Sequence, residues 1–502
     1  MILIRLLAPT RSDRHKASVM LYPARLLMFF MATLLPAASG IGQTRDVKKI
    51  YSEICANCHG IAFEGGSGPS LTTGKWKYGG DDASLTKSIR EGFPQAGMPA
   101  WSAALSDAEI HGLIVYIREQ TASYERNHTV FAKPADSTTA QSELYPYRLE
   151  TVAKNLAEPW SIAFLPDGRT LVTEKKGTLR IIENGKLLEQ TVKGIPAVDT
   201  NGQAGLFDVV PHPDYARNGW IYLSFADPQK SPEGRNLALT RIIRGRLRDG
   251  ALLDQETIFQ APLATYRPAG GVHFGGRIAF DGQGHVFFSI GERGAKENAQ
   301  DLSRPNGKIH RLNDDGTIPS DNPFVSTPGA DRSIWSYGHR NPQGLVYDKI
   351  AGELWETEHG PRGGDELNLI RKGLNYGWPI TTYGIDYNGQ PFSWKNDSGQ
   401  VIPSVTTREG IEPPITYWVP SIAVSSLNVY EGTLFPKWKG NLFAASLAAQ
   451  ELRRIEILNG KVVHQEIIFK GIGRLRDAVT GPDGALYVLL PDRVSRLVPV
   501  AK

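Results

Sequence analysis

Two hydrophobic rhythms divide this chain. From Arg148 onward, short β-rich runs recur around an acidic-glycine turn: residues 162–173 enclose Pro166-Asp167-Gly168, 278–288 enclose Asp281-Gly282, and 479–489 enclose Pro482-Asp483-Gly484. Looser copies occupy 207–225, 345–355 and 427–445, making six units over about 350 residues. Repetition at intervals of roughly 45–80 residues predicts a six-bladed β-propeller with long inserted loops, since an open sandwich would not naturally repeat one hairpin six times. A propeller gathers its ligands at one mouth of its channel, on loops between strands. The N-terminal part keeps a helical rhythm instead. Ile110, Leu113, Ile114 and Ile117 follow the capping box Ser106-Asp107-Ala108-Glu109, which predicts a helix near 106–120. Between 121 and 147 the chain is rich in Thr, Ser, Ala and Pro, sustains neither period and reads as a linker. The expected fold is multidomain: a small all-α domain over 44–120, a linker over 121–147 and an all-β six-bladed propeller over 148–502.

The first 43 residues carry an export pattern. Arg25 precedes an apolar run from Leu26 to Leu35, and Pro36-Ala37-Ala38-Ser39-Gly40 follows, giving the charged, apolar and small-residue zones of a secretory signal. Residues 1–19 are an extended basic region of that signal or lie upstream of an initiator at Met20. The apolar run is too short to span a bilayer comfortably, so no transmembrane segment is expected in the mature chain. The formal charge of +4 falls to about zero once 1–43, with five Lys/Arg and one Asp, is removed. That balance argues against a nucleic-acid partner, and a soluble periplasmic protein is expected.

The only two cysteines lie in Cys55-Ala56-Asn57-Cys58-His59, the attachment pattern of haem c. Two thiols at this spacing form thioethers to the haem vinyl groups while the adjacent histidine ligates iron. A thioredoxin-like pair or half a zinc site leaves His59 unexplained, and no further Cys or His ligands follow at zinc spacing. Of the five methionines only Met98 lies outside the export region, in Gly97-Met98-Pro99-Ala100-Trp101, about forty residues after His59. The segment resembles class I cytochromes c, with an amphipathic helix before Cys55 and Gly68-Pro69-Ser70-Leu71 in the loop that supports the axial histidine. The resemblance implies iron ligation by His59 and Met98, which gives a positive potential suited to accepting electrons.

Five motifs in the propeller region appear together: Gly202-Gln203-Ala204-Gly205-Leu206, His273-Phe274-Gly275-Gly276-Arg277, Gly338-His339-Arg340-Asn341-Pro342-Gln343-Gly344, Glu358-His359-Gly360-Pro361-Arg362-Gly363-Gly364-Asp365-Glu366 and Arg474-Leu475-Arg476-Asp477. In this order they resemble the soluble quinoprotein aldose dehydrogenases, the glucose/sorbosone dehydrogenase family, which uses pyrroloquinoline quinone (PQQ) and calcium. A cofactor with three carboxylates requires cations and guanidinium forks. The resemblance assigns that role to Arg340, Arg474 and Arg476, with amide contacts from Gln203 and Asn341, although arginines in loops also serve in salt bridges. It makes His273 the base that takes the proton of a sugar's anomeric hydroxyl, and Glu292 the carboxylate that orients it. Gly360 and Pro361 match a calcium loop, and Glu366 and Tyr376 suggest a further structural calcium. Acidic glycine-rich loops are also ordinary turns, so calcium rests on the resemblance. Where relatives often carry a lysine that contacts the quinone, this chain has Ala448, with Arg453 and Arg454 as possible substitutes.

The expected protein is a periplasmic quinohaemoprotein that oxidises an aldose to its lactone and passes electrons to its own haem and then to a downstream periplasmic acceptor. Sorbosone or another sugar is the alternative substrate. A non-catalytic propeller that binds glycans or a partner protein is the alternative of another class. The linker is expected to let the haem domain reach the propeller mouth.

Overall fold

The computed structural model describes residues 45–500, so the export segment at 1–43 lies outside the described residues. Six antiparallel sheets of four or five strands follow one another as blades. Blade one spans 159–187, blade two 206–268, blade three 278–337, blade four 342–418 and blade five 424–470. Every hairpin unit legible in the sequence supplies the first two strands of a blade. Blade six joins the ends of the propeller chain: strands Asp477–Thr480, Leu486–Leu490 and Arg493–Pro499 are completed by Pro146–Lys154, with Tyr147 opposite Pro499 and Leu149 opposite Leu497. Pairing the first strand with the last leaves no open edge between the ends of the ring.

Blades pack face against face, so strands such as Val424–Val429 are buried along their whole length. At the seam Tyr147, Leu149, Phe435, Trp438 and Leu497 share one core. Phe435 and Trp438 stack at 4.1 Å, and the Tyr147 hydroxyl donates to the Ile468 carbonyl at 2.7 Å. Burying each such side chain contributes about 1.5–3 kcal/mol. The channel is tied across by Arg277, which lies 3.2 Å from Asp477 and 3.6 Å from Asp208.

The helical domain begins with a continuous helical stretch, Val47–Ile50, a wider turn at Tyr51–Cys55, then Ala56–His59. Asp46 caps it by accepting from the amides of Lys48 (2.7 Å) and Lys49 (3.1 Å). The expected capping box is present: the Ser106 amide donates to Glu109 at 2.9 Å and the Glu109 amide to the Ser106 hydroxyl at 3.3 Å. Ile110, Leu113, Ile114 and Ile117 face Ile50, Tyr51, Phe63 and Leu85 in one core. Gly112 lets the first and last helices cross, because a Cβ there would stand 2.6 Å from Val47.

The stretch expected as a linker is shorter and more ordered than its composition implies. The last helix runs from Asp107 to His128, beyond the expected end at 120. Thr121 donates to the Leu71 carbonyl at 2.9 Å, and Tyr124 stacks on His128 at 3.9 Å. Ala132 then accepts from the Lys470 amide at 3.2 Å, and strand Ala140–Gln141 joins blade six. Apart from the Tyr124–His128 stack, these contacts come from distant residues, so no local period announces them.

Candidate functional site

In the helical domain both thiols are unpaired. Burial pushes the Cys55 thiol up to about 11, the opposite of the depressed value that a thioredoxin-like pair uses. His59 Nδ1 donates to the Pro69 carbonyl at 2.8 Å, so the expected support loop is in place and Nε2 is left as the free ligand atom. A Cβ at Gly68 would stand 2.9 Å from the imidazole, so glycine is what lets that loop approach. Met98 is fixed by two main-chain bonds to Phe93 (2.7 and 3.1 Å). Two free thiols and a histidine with one satisfied nitrogen fit a covalently attached haem.

The sugar chemistry is expected at the propeller mouth, where the loop after blade two carries His273. The main chain of His273 sits at φ +58 and its amide donates to the Gln203 side chain at 2.8 Å. The loop lies so close to the end of strand His285–Ile290 that a Cβ at Gly291 would stand 2.2 Å from the His273 carbonyl. Arg293 props the same loop from behind, donating to the Gly270 carbonyl at 2.8 Å with its guanidinium 3.5 Å from the Phe274 ring centre. His273 Nδ1 and Glu292 Oε1 are directly hydrogen-bonded, and both residues are buried. An ionised carboxylate only accepts, so the proton sits on Nδ1 and the lone pair on Nε2. Burial and then Arg340 push the imidazole below its ordinary 6.5, against the raising effect of Glu292. The His273 imidazole is thus held in its neutral form at neutral pH.

Around it lie the predicted arginines. Arg340 is buried, with its guanidinium 5.1 Å from the Trp378 ring centre and Nη1 3.3 Å from the His359 carbonyl, while its Nε has no partner. Arg476 donates to Gln343 at 3.2 Å, and burial, with Arg277 and Arg474 nearby, lowers it to about 9. Arg474 is exposed. None of the three makes a direct ion pair with a carboxylate among the described residues, although Asp477 and Glu158 lie near enough to act on Arg476, and guanidinium groups so placed suit a polycarboxylate. Asn341 accepts from the Gly275 amide at 3.1 Å and from Gln343 at 3.3 Å, which ties the arginine loops to the histidine loop. Gln343 and Trp378 thus belong to the site although they were not singled out in advance. Gln343 lies inside the Gly338–Gly344 motif, and Trp378 two residues after Tyr376, in the stretch associated with the further calcium.

Behind Arg340 is an acidic pit in blade four. Asn368 donates to Glu356 at 3.0 Å, Glu366 at 3.3 Å and Glu358 at 3.5 Å. Ligand atoms of His339, Glu356 and Glu358 lie within 4.8 Å of one another. Burial, and then the charge of Glu358, push Glu356 and Glu366 well above the usual carboxylate range, and one Glu356 oxygen is buried without a partner. A cavity of about 10 Å³, lined by Arg340, Glu358, Gly360, Glu366, Tyr376 and Thr381 among others, has room for a single small guest. The Tyr376 phenol is already engaged, donating to the Leu369 carbonyl at 2.7 Å and accepting from the Arg371 amide at 2.8 Å. Its main-chain carbonyl is therefore the ligand it can offer. Gly360 sits in a tight loop, where a Cβ would stand 2.2 Å from the Gly363 carbonyl and 2.3 Å from that of Gly364.

Ala448 lines a cleft of about 380 Å³ between the last helix and the propeller. Arg453 is paired with Glu451 at 2.6 Å and Arg454 with Glu466 at 2.8 Å, so neither takes over for a lysine at that place.

Residues 156–498 match the family profile described as Glucose / Sorbosone dehydrogenase. The chain belongs to that family. Residues 42–117 match the profile described as Cytochrome C oxidase, cbb3-type, subunit III, so this family member carries a cytochrome c domain at its N-terminus. The aldose sugar dehydrogenase YliI of Escherichia coli is 41% identical over 359 residues, covering 70% of this chain and 92% of that protein. The solved PQQ-bound form of the aldose sugar dehydrogenase of Streptomyces coelicolor has a TM-score of 0.54 at 26% identity, covering 70% of this chain and 98% of that one. The cbb3-type cytochrome c oxidase subunit CcoP of Azospirillum brasilense is 46% identical over 78 residues, 14% of this chain and 26% of that subunit. The protein is an oxidoreductase with a haem domain, and the binding-only propeller is set aside. No helix among the described residues is long and apolar enough to cross a membrane.

Proposed function

We propose that this protein oxidises an aldose at its anomeric carbon to the lactone, with PQQ as first acceptor and its own haem as second, in the periplasm. The observation that carries this reading is a neutral, carboxylate-oriented His273 facing guanidinium groups that have no carboxylate partners. PQQ, when bound, supplies a two-electron acceptor beside the sugar carbon. Arg340, Arg474 and Arg476 neutralise its carboxylates, and Gln203 and Asn341 fix its orientation. His273 Nε2 takes the anomeric hydroxyl proton while Glu292 stabilises the imidazolium that forms. The carbonyls of Gly360 and Pro361 offer one calcium the hard oxygen ligands it prefers, and Glu366 with the Tyr376 carbonyl offers them to a further structural calcium. His59 and Met98 hold the haem iron.

The test is the visible spectrum of the haem-loaded protein under anaerobic conditions, with cofactor, calcium and an aldose panel added in turn. Reduced haem bands are expected only when cofactor and sugar are both present. His273→Ala should lower the sugar-dependent rate by about 10²–10⁴-fold while dithionite still reduces the haem. A wild-type protein that binds the cofactor yet reduces neither haem nor dye with any aldose overturns the reading.

A further inference from the structure

The haem domain does not hang from a tether; it is seated on the loops that surround the candidate cofactor site. Val47 and Val115 from its first and last helices form a buried apolar cluster with Ile385 of the propeller. Arg362 makes a two-pronged pair with Glu119 of the last helix, Nε at 2.8 Å and Nη2 at 2.6 Å. Asp82 accepts from the Tyr417 hydroxyl at 2.7 Å, and the Val47 amide donates to the Gly389 carbonyl at 3.1 Å. Tyr417 stacks on Tyr383 at 3.9 Å. Arg362 stands between Pro361 and Gly363, inside the loop proposed to hold calcium, and its main chain exchanges two 3.0 Å bonds with Ile385. The same helix borders the cleft at Ala448, and the Ser446 carbonyl accepts from the amide of Leu475, between the two arginines of the mouth, at 3.0 Å.

We infer that the haem domain is a fixed wall of the active-site mouth, and that Glu119, through Arg362, is a positioning residue for electron transfer to haem across a permanent interface. This rests on the proposed sugar oxidation. Each sugar gives up two electrons and two protons, one proton to His273 and the other to water once the electrons have left. The haem iron takes the electrons singly, Fe(III) to Fe(II), and a one-electron acceptor of the c-type cytochrome class reoxidises it between transfers. An apolar seat with a bidentate ion pair at its edge holds one geometry, whereas a tether gives only a raised local concentration.

The test uses the full-length, haem-loaded protein. Glu119→Arg opposes two cations at the seat, and Glu119→Arg/Arg362→Glu restores the pair with its charges exchanged. Small-angle scattering should show a compact wild type, a widened particle in Glu119→Arg and recovery in the exchanged protein. Stopped-flow mixing with sugar should show haem reduction slowed about tenfold or more in Glu119→Arg, in keeping with the loss of an ordered geometry. Dye-linked sugar oxidation in the same variant should fall several-fold less than haem reduction, since a diffusing dye needs no ordered haem domain. Wild-type haem reduction should not depend on solvent viscosity. A Glu119→Arg protein with an unchanged scattering profile and unchanged haem reduction, alongside normal dye-linked activity, overturns the fixed seat. So does viscosity-dependent reduction in the wild type. Loss of dye-linked activity in the wild type itself would instead strike the proposed function, and the scattering comparison would still decide the seat.

Discussion

The propeller mouth and the acidic pit of blade four are opposite in charge and alike in imbalance. At the mouth Arg340 and Arg476 are buried or nearly so without a carboxylate partner; in the pit Glu356, Glu358 and Glu366 gather around one amide with no lysine or arginine paired to them among the described residues. Arg340 stands between the two, yet it meets the pit through its main-chain N–H, which donates to Glu358, and keeps its guanidinium under Trp378. Direct pairing would have cancelled both charges and left nothing for a guest. An unpaired buried charge costs several kcal/mol, a cost the mouth bears and the pit lowers by holding protons on Glu356 and Glu366, so a guest of the other sign would relieve the first and displace protons from the second. Affinity is thus written into the structure as two imbalances kept apart.

Replacing a charge at the mouth should separate binding from stability most clearly. Arg476→Met is expected to weaken PQQ binding by about 10²–10³-fold, the usual effect of truncating one partner of a buried charge contact, while the cofactor-free protein gains about 1–3 kcal/mol. Calorimetric titration and denaturant unfolding read the two numbers. If affinity and stability fall together, Arg476 is a structural residue and the contrast between mouth and pit fails.

The pit should behave as the mirror case. Calcium at a hundredfold excess over its Kd should add about 2.7 kcal/mol to unfolding free energy, and Glu366→Gln should erase most of that gain. Glu356 and Glu366 hold protons in the folded state above their ordinary 4.5. Without calcium, stability is therefore expected to fall as pH rises from about 4.5 toward their raised values, because there the native state binds more protons than the unfolded chain. Saturating calcium should flatten that slope. Unfolding curves from pH 4 to 8, with calcium or with chelator, show whether it does.

The smallest effect concerns the histidine at the mouth. His273 titrates below 6.5 in the folded protein, so the acid limb of kcat/KM should fall below that pH. Glu292→Gln removes the charge that raises it, so the limb should move lower, together with a loss of rate. A limb that moves upward would mean that His273 is not the group being read.

The propeller was legible because three blades carry an Asp-Gly hairpin contained within a dozen or so residues, and the other three repeat the same strand pairing more loosely. The closure was not, because Tyr147 finds its partner at Pro499 and neither end carries a mark of the other. The pit was half legible. Glu356 and Glu358 alternate with Trp355 and Thr357 in strand Glu353–Glu358 as solvent-facing positions would, but a blade packed on both faces buries either side. The hydrogen-bonded pair His273 and Glu292, like the arginines Arg340, Arg474 and Arg476, consists of residues that the family resemblance singled out. The seat of the haem domain was hidden, since Glu119 and Arg362 are ordinary charged residues until the fold brings them within 2.6 Å.

The closing strand Pro146–Lys154 leaves the ribosome long before its partner Arg493–Pro499 is made. The haem domain precedes that strand and has a core of its own, so it can fold and receive its prosthetic group while the ring is still open. A chain that stops short of blade six keeps an exposed sheet edge, ready to pair with the wrong neighbour or to be degraded. Completion of the last strand is therefore the point at which the ring closes and that edge is withdrawn from other partners.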